Sequence, residues 1–238
     1  MKVDAVKTLE EIKTKLHESD DLKSRSVQFF GKQICVCYIA DLVDDVILND
    51  SVIYPICAYK ETKTDNPLKE LKEQVLANNE ITIATDVDSA SQLLFAGNSL
   101  LLVDGAEEIL ACNTEKIVVR AINEPPTSVV IKGPREGFNE SLKYNLSMVR
   151  RRVKTDDLVV KTLEIGELTK TQVAVVYFNS IADKQVVKHI IKRLKDIEID
   201  GVVDSHYLVS YLQKNPKSLF KQVGDTEKPD ILVGKMLE

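Results

Sequence analysis

The sequence predicts an α/β protein of two small subdomains, each a mixed sheet packed by helices, joined by a proline-containing linker. Three observations carry this. Strand-like apolar runs alternate with helix-period segments in both halves of the chain, the pattern of helices laid on sheets. The run Asn123-Glu124-Pro125-Pro126 interrupts that pattern, because adjacent prolines suit neither a helix interior nor a central strand. The 238 residues fit one large domain or two small ones, and an apolar content of 44% is enough for two modest cores. The expected units are residues 1–122 and 123–238.

In the first half, Ala5, Leu9, Ile12 and Leu16 recur at helical spacing, with Glu11 four residues before Lys15, so residues 4–18 form an amphipathic helix. SVQFFGKQICVCYIA then reads as a hairpin divided at Gly31-Lys32. Asp44 caps a helix through Val46, Ile47 and Ile53 that ends near Pro55. Asp65-Asn66-Pro67 opens another, carrying Leu68, Leu71, Val75 and Leu76. ITIAT is a strand, residues 87–96 are a helix stopped by Gly97, and SLLLVDGAEEILACN is a pair of strands turning at Asp104-Gly105. KIVVRAI is a further strand.

In the second half, VVIKGPREGF leads into a helix of about 16 residues. Its stripe is Phe138, Leu142, Leu146, Val149 and Val153. LVVKTLEIG and TQVAVVYF are strands around a turn near Leu168–Lys170. Asp183 caps a helix carrying Val186, Val187, Ile190, Ile191 and Leu194. Ile199–Val203 is extended, and Asp204-Ser205 starts a helix with Leu208 and Tyr211 on its apolar side, stopped by Asn215-Pro216. The tail is polar and irregular before a final apolar turn.

The net charge of −5 argues against a general nucleic-acid binder. No apolar run approaches the roughly 18–20 residues that cross a bilayer, so this stretch is expected to be soluble. Cys35 and Cys37 sit two apart on one strand face and read as buried thiols or as a metal or redox pair. Zinc-type spacing, phosphate-loop glycines and a nucleophile elbow are absent, so neither a catalytic set, a metal site nor a cofactor is expected. GPREG, from Gly133 to Gly137, is a turn before a helix; it either changes chain direction or, with Arg135, holds an anion. Arg150, Arg151 and Arg152 form the densest charged cluster. On the helical wheel Arg150 and Arg152 flank the apolar stripe and Arg151 points away. They stabilise a helix C-terminus, or grip carboxylates of a neighbouring subunit or anionic lipid head groups. Asn145, on the apolar stripe, needs hydrogen bonds from the local backbone or from a contact across subdomains or subunits.

The run EPPTSVVIKGPREGFNESLKYNLSMVRRRVK, Glu124 to Lys154, resembles the signature of the GerA spore germination family. That family's A subunits carry Glu-Pro, a Gly-Pro-Arg-Glu-Gly-Phe turn, an Asn and an Arg-Arg-Arg cluster at this spacing. YIADLVDD, AGNSLLLVDG, RLKDIEIDGVVDSHYLVSYL and TEKPD are similar to other family segments, in family order. Ser128 stands where glutamate is frequent, Lys221 where proline is usual and Lys228 where arginine is usual. The resemblance implies the N-terminal domain of a germinant-receptor A subunit on the cytoplasmic face of the spore inner membrane. It implies B and C subunits and other A subunits as partners, and a role in assembly and in signalling to a membrane channel part. Glu124, Gly133, Arg135, Glu136, Asn145, Arg150, Arg151 and Arg152 are then candidates for interaction or ligand contact. The alternatives are a nutrient- or ion-binding module of the same receptor, for which Arg135, Glu136 and Asn145 are the candidates, and a related SpoVAF-type sporulation protein.

Overall fold

A computed structural model describes residues 2–60, 66–116, 136–213 and 222–238. The chain divides into two compact units, Met1–Arg120 with Val153–Asp156, and Ala121–Arg152 with Asp157–Glu238. The expected joint at Pro125-Pro126 lies outside the described residues, as do most of KIVVRAI and the Asn215-Pro216 stop.

The first unit is an α/β/α sandwich. Its five strands are β1 (Leu22–Phe29), β2 (Lys32–Ile39), β3 (Ile81–Ala84), β4 (Asn98–Val103) and β5 (Ile109–Asn113). They lie in the order β1-β2-β4-β5-β3, and every pairing between them is antiparallel, so this sheet is not mixed. Both of its faces are covered. Cys35, Cys37, Leu100, Leu102 and Ala111 meet α1 (Ala5–Lys15) and the helix of residues 87–95 on one face. Ile34, Val36, Leu101, Val103 and Leu110 meet the helices of residues 45–75 on the other. Central strands buried on both faces must be apolar at both parities, which is why ICVC and LLLV do not alternate.

Local chemistry sets the helix starts. Asp4 caps α1, accepting from the Lys7 N–H at 3.0 Å. Asp44 accepts from Val46 N–H at 2.9 Å and Ile47 N–H at 3.2 Å and opens α2 (Asp45–Leu48). A π-helical turn, Asn49–Ile53, then leads into α3 (Tyr54–Ala58), so the helix passes the expected stop at Pro55. Proline cannot donate to the carbonyl four residues back, but the Ser51 carbonyl accepts from the Ala77 N–H at 3.1 Å instead. Asn66 caps α4 (Pro67–Glu70), which runs into a second π turn, Leu71–Val75, and Asp86 caps α5 (Val87–Phe95).

Two turns differ from expectation. The β1–β2 loop is Phe30-Gly31, at φ 49° and 71°, one residue earlier than Gly31-Lys32; paired left-handed residues match the strand twist. Between β4 and β5, Asp104-Gly105 does not close a two-residue turn. The N-terminal segment captures it: Gly105 N–H donates to the Val3 carbonyl at 2.8 Å, and Ala5 N–H donates to Asp104 Oδ1 at 2.8 Å.

In the second unit, α6 (Leu142–Arg152) precedes an antiparallel hairpin, β6 (Leu158–Ile165) and β7 (Thr171–Phe178). Then follow α7 (Lys184–Lys195), capped by Asp183, α8 (Ser205–Leu212), capped by Asp204, and α9 (Pro229–Leu237). Leu194, Ile197 and Val202 form a small core with Ile165. Ile199–Val203 joins no strand, and its carbonyls are taken by the 167–171 turn through Glu167 and Leu168 N–H and the Thr171 hydroxyl. Two expectations fail here. The tail holds a nine-residue helix, α9, with Pro229 in its first turn. Helix α6 starts at Leu142, so Phe138 stands outside it.

Candidate functional site

Helix α6 and the chain leading to it carry five of the candidate residues: Glu136, Asn145, Arg150, Arg151 and Arg152. Glu124, Gly133 and Arg135 lie outside the described residues. Asn145 explains the late helix start. Its Oδ1 accepts from the Asn139 N–H at 2.9 Å, and its Nδ2 donates to the Asn139 carbonyl at 2.6 Å. Both ends of the amide are therefore spent on local backbone, and residue 139 is held out of the helix.

The arginines do not lie as the helical wheel predicts. Leu146, Ser147, Met148, Val149 and Arg150 are buried in succession, which covers more than one full turn. A helix buried all round has no solvent stripe, and the single-stripe assumption fails. The cause is tertiary: α9 and β7 both pack on α6. Arg150 is 1% exposed, among the largest fully buried side chains of the described residues. Arg151 does not point away into solvent: it is half-buried, and its Nη2 is buried with no hydrogen-bond partner among the described residues. Arg152 donates through Nη2 to Glu136 Oε2 at 2.5 Å and through Nη1 to the Met148 carbonyl at 2.9 Å. The structure thus brings Glu136 and Arg152 together.

The start of α9 joins this cluster. Phe138 N–H donates to the Glu227 carbonyl at 2.7 Å, tying the residues after Glu136 to the TEKPD segment. Lys228 is buried, and Asp230 Oδ1 is buried with no hydrogen-bond partner among the described residues. Neither Lys228 nor Asp230 stood among the candidates. A charged pair around Pro229, followed by Ile231, Leu232 and Val233, is the signal of a helix start in a buried place. Neither 136–152 nor 222–238 contains a histidine or cysteine. The arrangement holds charge and aligns two helices.

A family profile described as Bacillus/Clostridium GerA spore germination protein matches residues 10–238. Spore germination protein KA of Bacillus subtilis is 32% identical over 236 residues, 98% of this chain and 43% of the relative. Spore germination protein B1 of the same organism is 31% identical over 237 residues, 99% of this chain and 49% of the relative. The chain thus spans less than half the length of these two relatives. Among solved structures, the N-terminal domain of the A subunit of the Bacillus megaterium spore germinant receptor GerK3 superposes with a TM-score of 0.72 at 27% identity. That match covers 100% of this chain and 89% of the other. With a profile match over nearly its whole length and the same fold in a solved relative, the chain belongs to the GerA spore germination protein family.

Proposed function

We propose that this chain is the cytoplasmic N-terminal domain of a germinant-receptor A subunit, with no catalytic role. It acts in receptor assembly and in passing a nutrient signal to the membrane part at the spore inner membrane. Its partners are the B and C subunits, further A subunits and anionic lipid head groups. Arg151 carries the reading: a guanidinium nitrogen without a partner among the described residues, directly after the buried run Leu146–Arg150. Isolated, such a donor only costs stability; the side chain as a whole is only half-buried, so a carboxylate from a neighbouring subunit that draws the guanidinium outward would relieve that cost.

The test is Arg151→Met. In the isolated chain, unfolding by urea should be unchanged or slightly more stable, because an unsatisfied buried donor is replaced by an apolar group of similar length. In the full-length receptor, co-purification of the B and C subunits should fall at least several-fold. Undiminished co-purification from a well-folded variant would sink the assembly role of this helix.

A further inference from the structure

Helix α7 carries a second concentration of charge, unlike the arginine cluster in being exposed. Its sequence, KQVVKHIIKRLK, has five Lys and Arg residues and no acidic residue. Four of them, Lys184, Lys188, Lys192 and Lys195, fall at i, i+4, i+8 and i+11. At about 100° per residue these positions share an arc of roughly 80° and run about 16 Å along the helix. All four are exposed, and none has an ion pair or side-chain hydrogen bond among the described residues. The opposite side is anchored: Leu194 is buried in the small core and Ile190 packs against it, while Arg193 donates to the Leu212 and Gln213 carbonyls. The lysine row is therefore held outward by the fold. It stands on a chain whose net charge is −5.

We infer that the lysine face of α7 docks on an anionic lipid bilayer, deepening the lipid part of the reading above while standing apart from its assembly part. Four features select this partner. The row is straight and all lysine, so it offers hydrated point charges and not the planar forks that read paired phosphate or carboxylate oxygens. A bilayer surface presents diffuse negative charge, which such a row meets without register. No aromatic side chain interrupts the row, as base stacking by single-stranded nucleic acid would want. On the apolar side of α7 Ile190 and Leu194 are engaged in the core while Val186 is exposed, so the helix lies at head-group level by electrostatics with little apolar surface to insert.

The experiment is co-sedimentation of the purified chain with vesicles of equal parts phosphatidylglycerol and phosphatidylcholine, against vesicles of phosphatidylcholine alone. The expected result is binding to the anionic vesicles only, weakened by salt. Each neutralised lysine should lower the partition coefficient about five-fold. The variant Lys184→Gln/Lys188→Gln/Lys192→Gln/Lys195→Gln should therefore lose binding by more than 100-fold, about three decades at full effect. A control with the same net charge, Lys2→Gln/Lys7→Gln/Lys69→Gln/Lys72→Gln, should keep most of it. Circular dichroism confirms that both variants fold, since every substituted side chain is exposed. No binding to anionic vesicles at low salt overturns the inference, and so does equal loss in the two variants. Neither result touches the Arg151 test, which reads subunit co-purification.

Discussion

Single residues in this chain are decided by whether their surroundings solvate them. Cys37 is fully buried, and burial, with a smaller contribution from Cys35, pushes its thiol up to about 12; burial alone does the same to Cys112. Cys35 is buried as well, whereas Cys57 is exposed. Since the thiolate is the reactive species, one thiol of the four should react with a thiol reagent in the folded chain and all four in denaturant. Two or more fast thiols under native conditions would contradict this packing. Arg150 belongs to the same scale. Its guanidinium is enclosed and engaged, so Arg150→Ala should cost about 3–5 kcal/mol by urea unfolding, unlike Arg151→Met.

At the scale of elements, Pro55 shows how a local signal is overruled. Read alone it ends a helix. In the fold the π turn and the Ala77 N–H relieve the carbonyl it cannot serve. Pro55→Ala should therefore destabilise by about 0.4–1 kcal/mol, through a freer unfolded chain. An ordinary interior proline is a strain of about 3 kcal/mol, and its removal would stabilise. The sign of the change in urea midpoint separates the two. The starts at Asp44, Asn66, Asp183 and Asp204 were legible because each cap needs only residues two or three apart. The start of α6 was not, because Asn145 ties down Asn139 six residues away. Of the candidate site, the cluster of arginines was legible as a cluster; their burial was not.

At the scale of the molecule, segments distant in sequence are joined by charge. Lys15 at the end of α1 pairs with Asp88 at 2.5 Å and Asp156 at 3.1 Å, both within the first unit. Partial burial raises the Asp156 carboxyl, but the Lys15 hydrogen bond and charge, with Thr155, outweigh it and hold it below the usual value of 3.8. A depressed acid stabilises the fold above its unfolded pKa and loses that contribution as pH falls through the folded one. Asp156→Asn should thus cost about 0.2–1 kcal/mol near neutral pH, as expected for a partly exposed pair still screened by solvent. The difference from wild type should shrink below about pH 4 and vanish in stronger acid. A pH-independent difference would show that the charge is not what matters.

The sequence by itself determined the α/β class, the strands among the described residues, most helices, several caps, and the family signature from Glu124 to Lys154. These rest on periodicity and on contacts between near neighbours. Only the tertiary structure decided the order β1-β2-β4-β5-β3, the burial of a full turn of α6 from Leu146 to Arg150, the helix at the tail and the outward row of lysines on α7. Strand pairing and burial are set by groups far apart in the chain. Which side of a helix meets water depends on what packs against it, as α9 packs on α6 and the Ile165 core on α7.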